Sequence, residues 1–343
     1  MDHFDIVQHF APERVPVRAR RYLAGSDHDD VPLSIPMAND MVLKLRPRGG
    51  AGDAAGAAAI CRPVLDAELE RRGAILFRGL PLADRTAFGE FIRLLGYPPL
   101  SYSGGIAVRN HEPGHALVAS NEPGAITMAP HNEMAYLPDF PRKAFFYCAR
   151  AADVGGEVPI SDIRDSVKLI DPAILEKFRA LGIRYHRYLP RDNRKAEIGW
   201  VETFGTADRA AIDRIMAEKG YDHQWLDDDG LAYSYVNPAF VTHPATGEEL
   251  WFNQVTELHC SYWRDHPDFP ADLPDDRYPA TTRWGDGGDI DPELISQLRA
   301  AIWRPARAVK LNPGDVLALD NLVIQHGRFA FAGPRLHMVA ITR

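Results

Sequence analysis

The chain closes on three short apolar runs, "AVKLNPGDVLALDN", "VIQHGRF" and "RLHMVAITR", parted by the turn sequences "NPGD", "DN" and "AGP". Runs this short, bounded by Gly, Pro, Asn and Asp, read as strands rather than helices. The pattern recurs upstream. "AFFYCARA" and "EVPISDI" flank the turn "DVGG", "IRYHRYL" reads as another strand, and "LAYSYVNPAFVTHPATGEELWFNQ" reads as a hairpin turning at "PATGE". So many short strands must cover one another, which points to a β core built as a sandwich or a jelly roll. Helical patterns sit mainly ahead of them. "DAAGAAAICRPVLDAELERRG" opens with Asp53 as a cap and is expected to break or kink at Pro63. "GAILFRGL" follows as a buried strand. "LADRTAFGEFIRLLG" sets Phe88, Phe91, Leu94 and Leu95 at helical spacing and ends at Gly96. "TADRAAIDRIMAEKG" reads as a helix opened by Thr206 and closed by Gly220. The fold class expected is α+β with flanking helices, one domain over residues 1–343. Residues 1–50, rich in Pro and Arg, read as an extended N-terminal lead-in. Residues 255–300, rich in Asp, Pro and aromatics, read as a long excursion or lid.

The net charge is −8 and no long basic block occurs, which argues against nucleic acid or an anionic membrane as partner. No stretch approaches the ~20 apolar residues of a membrane span. Cys61, Cys148 and Cys260 lie far apart with no CxxC, so neither a disulfide framework nor a thiolate zinc site is expected. "MDHFDIVQHF" is acidic and lacks an apolar core, unlike a secretory signal, and a cytoplasmic location is expected.

The chemistry-bearing pattern is His-x-Asp/Glu. It occurs at His3–Asp5, His28–Asp30, His131–Glu133 and His266–Asp268, and chance supplies about two such pairs in a chain with 13 His and 47 acidic residues. Context separates them. His3 and His28 lie in the lead-in, and Pro267 interrupts the His266 pair. His131–Glu133, in "MAPHNEMAYLPDF", stands directly before a strong pair of strands. A distant partner, His326, lies in the strand "VIQHGRF". Two imidazoles and a carboxylate on one face of a β core make a facial triad suited to Fe(II), with three positions left open. Strand alternation would point His131 and Glu133 the same way. On spacing alone the alternative, a turn histidine and a satisfied core histidine, stays open. Beyond His326 come Arg328 and Arg335. An arginine turned into an apolar barrel needs an anion, and a dicarboxylate would supply one; a surface salt bridge is the other reading. Arg328 is in phase with His326, so alternation favours it as the anchor.

Taken together, "HNEMAY", "AFFYCARAADVGGEVPISD", "THPATGEELWFNQ" and "LALDNLVIQHGRFAFAGPR" resemble the Fe(II)/2-oxoglutarate-dependent dioxygenases of the taurine dioxygenase and clavaminate synthase type. The likeness runs from about Gly73 to the C-terminus. "HNEM…Y", "GGE.PISD" and "WFNQ" are similar to the SyrP-like branch, whose members often hydroxylate amino acids in natural-product assembly. The resemblance implies a double-stranded β-helix (jelly roll) with helices outside it. It implies His131, Glu133 and His326 as metal and catalytic ligands, Fe(II) as cofactor, and 2-oxoglutarate and dioxygen as cosubstrates. It favours Arg335 over Arg328 as the 2-oxoglutarate anchor. The implied reaction is hydroxylation of an unactivated C–H bond of a small amino-acid-like substrate, free or tethered to a carrier protein. Desaturation and cyclisation are the alternatives within that chemistry. Outside it stand a cupin-like metal sensor without turnover and a zinc hydrolase. Tyr136, Asn121, Ser120, Asn253, Gln254 and Arg109 are the candidate substrate residues. One departure is plain: many relatives carry Thr after "GGE", and this chain carries Val158.

Overall fold

The computed structural model describes residues 1–7, 13–100, 117–120 and 122–343; Arg109 and Asn121 lie outside the described residues. Two sheets build the centre. The larger has seven strands in the order Phe4–Ile6, Leu43–Pro47, Ala74–Phe77, Val316–Asp320, Lys143–Arg150, Leu336–Thr342 and Leu117–Val118. The smaller has four, in the order Arg307–Val309, Val158–Asp162, Ile324–Arg328 and Met128–His131. Alternation along Lys143–Arg150 explains how they pack. Phe145 and Tyr147 face the helices Ala54–Arg72 and Arg85–Leu95. Ala144, Phe146 and Cys148 face the other way, onto Val158, Ile160 and Ile324 of the smaller sheet. The pairings are antiparallel except Leu43–Pro47 with Ala74–Phe77. The helix Ala54–Arg72 lies between those two strands in sequence, and a helical crossover is what makes a parallel pair reachable. A third, four-stranded sheet holds Asp222–Trp225, Leu231–Asn237, Ile183–Leu189 and Ala280–Trp284, over its own core around Phe178, Tyr185 and Trp200. None of the described helices is long and apolar enough to cross a membrane.

Several expectations change here. The lead-in is not merely extended: Leu43 and Leu45 are buried, and their strand joins the seven-stranded sheet. Helix Ala54–Arg72 runs through Pro63 without ending. The hydrogen bond that Pro63 cannot donate is outweighed by burial of Ala57, Ala58, Cys61, Val64, Leu65 and Leu69 on one side. The cap of the later helix, Arg209–Lys219, is Asp208, which accepts from the Ala210 N–H; Thr206 instead accepts from the Asp208 N–H. The hairpin at "PATGE" is confined to Phe240–Thr242 and Glu249–Trp251, while Leu231–Asn237 pairs with Ile183–Leu189. Residues 255–300 are not a loose lid. They form the helices Cys260–Asp265 and Pro292–Trp303 around the strand Ala280–Trp284, with Tyr278, Trp284 and Ile295 buried.

Candidate metal centre

His131 ends the strand Met128–His131 and stands directly across the sheet from His326 in Ile324–Arg328. Their rings lie 4.9 Å apart, and the Phe146 ring packs against His326 at 4.6 Å. Glu133 arrives differently from the expectation. The strand stops at His131, so alternation does not aim the carboxylate; a turn does, with Met134 held at φ 57°. Asn321 fixes that turn. Its Oδ1 accepts from the Glu133 N–H at 2.7 Å, and its Nδ2 donates to the carbonyls of Glu133 and Pro141 at 3.0 and 2.8 Å. Asn132 Nδ2 donates back to the Asn321 carbonyl at 2.6 Å. One ligand atom from each of His131, Glu133 and His326 then falls within 4.8 Å of the others, with Glu133 Oε2 3.4 Å from His326 Nε2.

The donor set fits a divalent iron. His131 Nδ1 is 2.9 Å from the Ala129 carbonyl and donates to it, which leaves Nε2 with its lone pair toward the cluster. Burial, and next the neighbouring His326, hold the His131 pKa below its usual value, so the imidazole is neutral and able to ligate. In the sequence Asn321 stands only as part of the turn "DN"; its side-chain role emerges from the structure. Asn321→Ala removes the acceptor for the Glu133 N–H and frees the turn. It is expected to weaken Fe(II) binding roughly 10–100-fold, as losses of a ligand's supporting partner do, measured by anaerobic metal titration.

The triad opens on a pocket whose other walls include Ser120, Met128, Phe146, Val158, Arg328 and Arg335. The two arginines differ sharply. Arg328 donates to the carbonyls of Glu122, Pro123 and Ile126 at 2.9, 2.7 and 3.1 Å, and reaches Ser120 Oγ at 3.4 Å. Its two Nη groups hold the segment 122–126, while its Nε is buried without a hydrogen-bond partner among the described residues. Arg335 donates once, from Nη2 to Nδ1 of His337 at 2.8 Å, and its Nε is buried without a partner. Among the described residues it has no carboxylate. Burial first, then the charge of Arg328, pull its pKa down to about 10. His337 is pushed down to about 3 by burial and by Arg335 and Arg328, so it is a neutral acceptor. Gly156, at φ 72°, leaves Arg335 its room: a Cβ there would meet its Cδ and Nε at 3.2 Å.

Val158 lines the pocket and offers only methyl groups. The nearby hydroxyls in sequence do not replace a threonine. Ser161 Oγ donates to the Ile302 carbonyl at 2.7 Å, and Thr127 Oγ1 to the Arg18 carbonyl at 2.8 Å. Among the described residues Ser120 brings the pocket's hydroxyl, set 3.2 Å from the weak acceptor Met128 Sδ. Val158→Thr is expected to tighten 2-oxoglutarate binding about tenfold, since a hydrogen bond to a charged group contributes roughly 1.5–3 kcal/mol. Titration of the anaerobic Fe(II) protein checks this. Unchanged or weaker binding in the variant would mean that another donor already serves.

Three candidate substrate residues are placed elsewhere. Tyr136 is buried in the core of the third sheet, its carbonyl accepting from Tyr235 Oη and Asn237 Nδ2. Asn253 donates to the Ala239 carbonyl and accepts from the Val255 N–H. Gln254 Nε2 donates to the Asn132 carbonyl, between the two metal-loop candidates. None of the three lines this pocket, and the side-chain amides of Asn253 and Gln254 bind backbone groups. Ser120 does line the pocket.

A two-sheet core with two imidazoles, a carboxylate and an arginine that has no carboxylate partner among the described residues around one pocket defines a non-haem metal oxygenase architecture. The sequence profile of the taurine catabolism dioxygenase TauD, TfdA family matches residues 47–342, and the chain belongs to that family. It is an Fe(II)- and 2-oxoglutarate-dependent dioxygenase. It is 31% identical to the dapdiamide synthesis protein DdaC of Enterobacter agglomerans over 81% of this chain and 84% of that one. It is 28% identical to a clavaminate synthase-like protein of Arabidopsis thaliana, again over 81% and 84%. The crystal structure of PvcB from Pseudomonas aeruginosa shares the fold at 17% identity, with a TM-score of 0.50 over 98% of this chain and 93% of that one.

Proposed function

We propose that His131, Glu133 and His326 hold the iron, that Arg335 anchors 2-oxoglutarate, and that the protein hydroxylates a C–H bond of a small amino-acid-like substrate. The observation that carries this reading is the convergence of the three donors within 4.8 Å beside a pocket bearing Arg335, which has no carboxylate partner among the described residues. Iron bound there would couple decarboxylation of 2-oxoglutarate to succinate with oxidation of the substrate by dioxygen. The chain's own part is positioning. The Ala129 carbonyl fixes the His131 tautomer, Asn321 aims Glu133, and Phe146 packs against His326 and keeps water from that side. The Arg335 guanidinium offers a bidentate fork to the far carboxylate of the cosubstrate, while neutral His337 holds its Nη2 in place. Arg328 holds the loop that brings Ser120 to the pocket.

The two facing sheets are read as a double-stranded β-helix, and the likeness to a synthesis protein supports a biosynthetic role. A cytoplasmic setting accords with three buried, unbridged cysteines. The test is succinate release from anaerobically reconstituted protein on admitting dioxygen, with a panel of amino acids, free and carrier-bound. Succinate that depends on Fe(II) and rises with one panel member is expected. A protein that binds metal without ever forming succinate would be the sensor instead.

A further inference from the structure

The turn between the strands Phe240–Thr242 and Glu249–Trp251 is exposed from residue 242 to residue 249 except at His243, which is 2% exposed. That turn carries its own ring. The His243 N–H donates to the Glu248 carbonyl, and the Gly247 N–H donates to the His243 carbonyl, both at 2.8 Å. His243 Nδ1 accepts from the N–H groups of Ala245 and Thr246, each at 3.2 Å. The ring proton therefore sits on Nε2, which donates to Asp320 Oδ2 at 3.0 Å. The ring is a neutral donor aimed at one buried carboxylate.

Asp320 ends the strand Val316–Asp320 and is 3% exposed. Its Oδ1 accepts from the Leu322 N–H at 3.0 Å, an Asx turn that bends the chain around Asn321. Its backbone N–H donates to the Gly73 carbonyl at 2.8 Å, and its own carbonyl accepts from the Val323 N–H at 3.2 Å. The carboxylate is thus gripped at both oxygens, by the turn on one side and by His243 on the other. Burial pushes the Asp320 carboxyl up, and the hydrogen bond from His243 is the first of the groups that oppose the rise. Asn321, the next residue, is fully buried and clamps the Glu133 N–H and carbonyl. An apolar pair at 243 and 320 would pack without the desolvation that an imidazole and a carboxylate incur. What the polar pair adds is direction, because its hydrogen bond fixes where the turn places Asn321.

We propose that His243 is a positioning residue for the metal carboxylate: through Asp320 it fixes the turn from which Asn321 aims Glu133. It gives a task to the "THPATGE" segment, which the pocket itself does not use. The inference rests on the reading of His131, Glu133 and His326 as the iron ligands and adds a residue that governs one of them.

The test is anaerobic Fe(II) titration of wild type, His243→Leu, His243→Gln and Asp320→Asn, each well below its Tm and with near-UV circular dichroism to show native packing. His243→Leu fills the ring's place and removes the donor. It is expected to weaken iron about tenfold, the low end of what losing a supporting partner costs a metal site. His243→Gln keeps an N–H donor where Nε2 stands. The N–H groups of Ala245 and Thr246 lie at exposed positions where water accepts from them, so this variant should bind iron within about twofold of wild type. Asp320→Asn should weaken iron about as much as His243→Leu. Either way round, its amide turns an N–H toward another donor, His243 Nε2 or the Leu322 N–H, and the imidazole proton cannot move to Nδ1 because two backbone donors face that atom. A purely structural role predicts a lower Tm in His243→Leu with the iron affinity of the folded protein unchanged, and that result overturns the proposal. So does a His243→Gln variant as weak as His243→Leu. Should His243→Leu fail to fold, Asp320→Asn against His243→Gln in the same titration decides. Failure of the wild type to bind Fe(II), or undiminished binding in His131→Ala, would strike the iron reading instead.

Discussion

His131→Ala, Glu133→Ala and His326→Ala are each expected to abolish Fe(II)-dependent succinate formation while leaving the fold largely in place. The three side chains come from two paired strands and a turn, and their contribution to packing is small beside the apolar cluster of Phe146, Ile160 and Ile324. What each removes is a donor that no neighbour replaces, since the cluster holds three donor residues among those described. His3→Ala, His28→Ala and His266→Ala serve as controls. His266 donates from Nε2 to Glu122 Oε2 at 2.9 Å and accepts from the Asp268 N–H, so its loss should cost some stability and no iron. A triad variant with near-wild-type succinate release would remove that residue from the site.

Arg335→Ala should raise the 2-oxoglutarate requirement at least about tenfold, because truncating one partner of a buried charge pair costs on the order of 2–5 kcal/mol. Arg328→Ala should behave differently. It leaves the carbonyls of Glu122, Pro123 and Ile126 without their donor, at about 1–3 kcal/mol for each that stays buried. A lowered Tm is its expected signature, with 2-oxoglutarate affinity falling only as far as the loop shifts. Melting curves and cosubstrate titrations of the two variants, taken together, tell the roles apart. If Arg328→Ala carries the cosubstrate defect at full Tm and Arg335→Ala does not, the anchor has been assigned to the wrong arginine.

The arginines also show what periodicity can read. Counting two residues on from His326 selects Arg328, and the count is right about the strand but does not foresee that the guanidinium donates to the carbonyls of Glu122, Pro123 and Ile126. The pairing shifts register between His326 and Arg328, and Arg328 meets loop carbonyls that no local pattern announces. His131 and Glu133 share a site for a reason alternation misses, because a turn clamped by Asn321, far along the chain, replaces the strand. The strands Lys143–Arg150, Val316–Asp320 and Leu336–Thr342 were legible because each alternates between two apolar faces. Leu43–Pro47 was not, since its two leucines sit among Lys, Arg and Pro, and its burial depends on the neighbouring strand Ala74–Phe77. Residues 255–300 have a loop's composition, yet Trp284 packs on Phe178 and its strand pairs with Ile183–Leu189, contacts distant in sequence.

The account's central claim is that one pocket holds iron and 2-oxoglutarate together, gripped by the triad on one side and Arg335 on the other. Equilibrium binding of 2-oxoglutarate to the anaerobic protein, with and without Fe(II), tests it most directly in wild type, Glu133→Ala and Arg335→Ala. The expected result is one 2-oxoglutarate per chain, bound much more tightly when iron is present. Glu133→Ala should lose the gain from iron, and Arg335→Ala should bind weakly under both conditions. Binding of 2-oxoglutarate that is indifferent to iron, or unaltered in both variants, would contradict it.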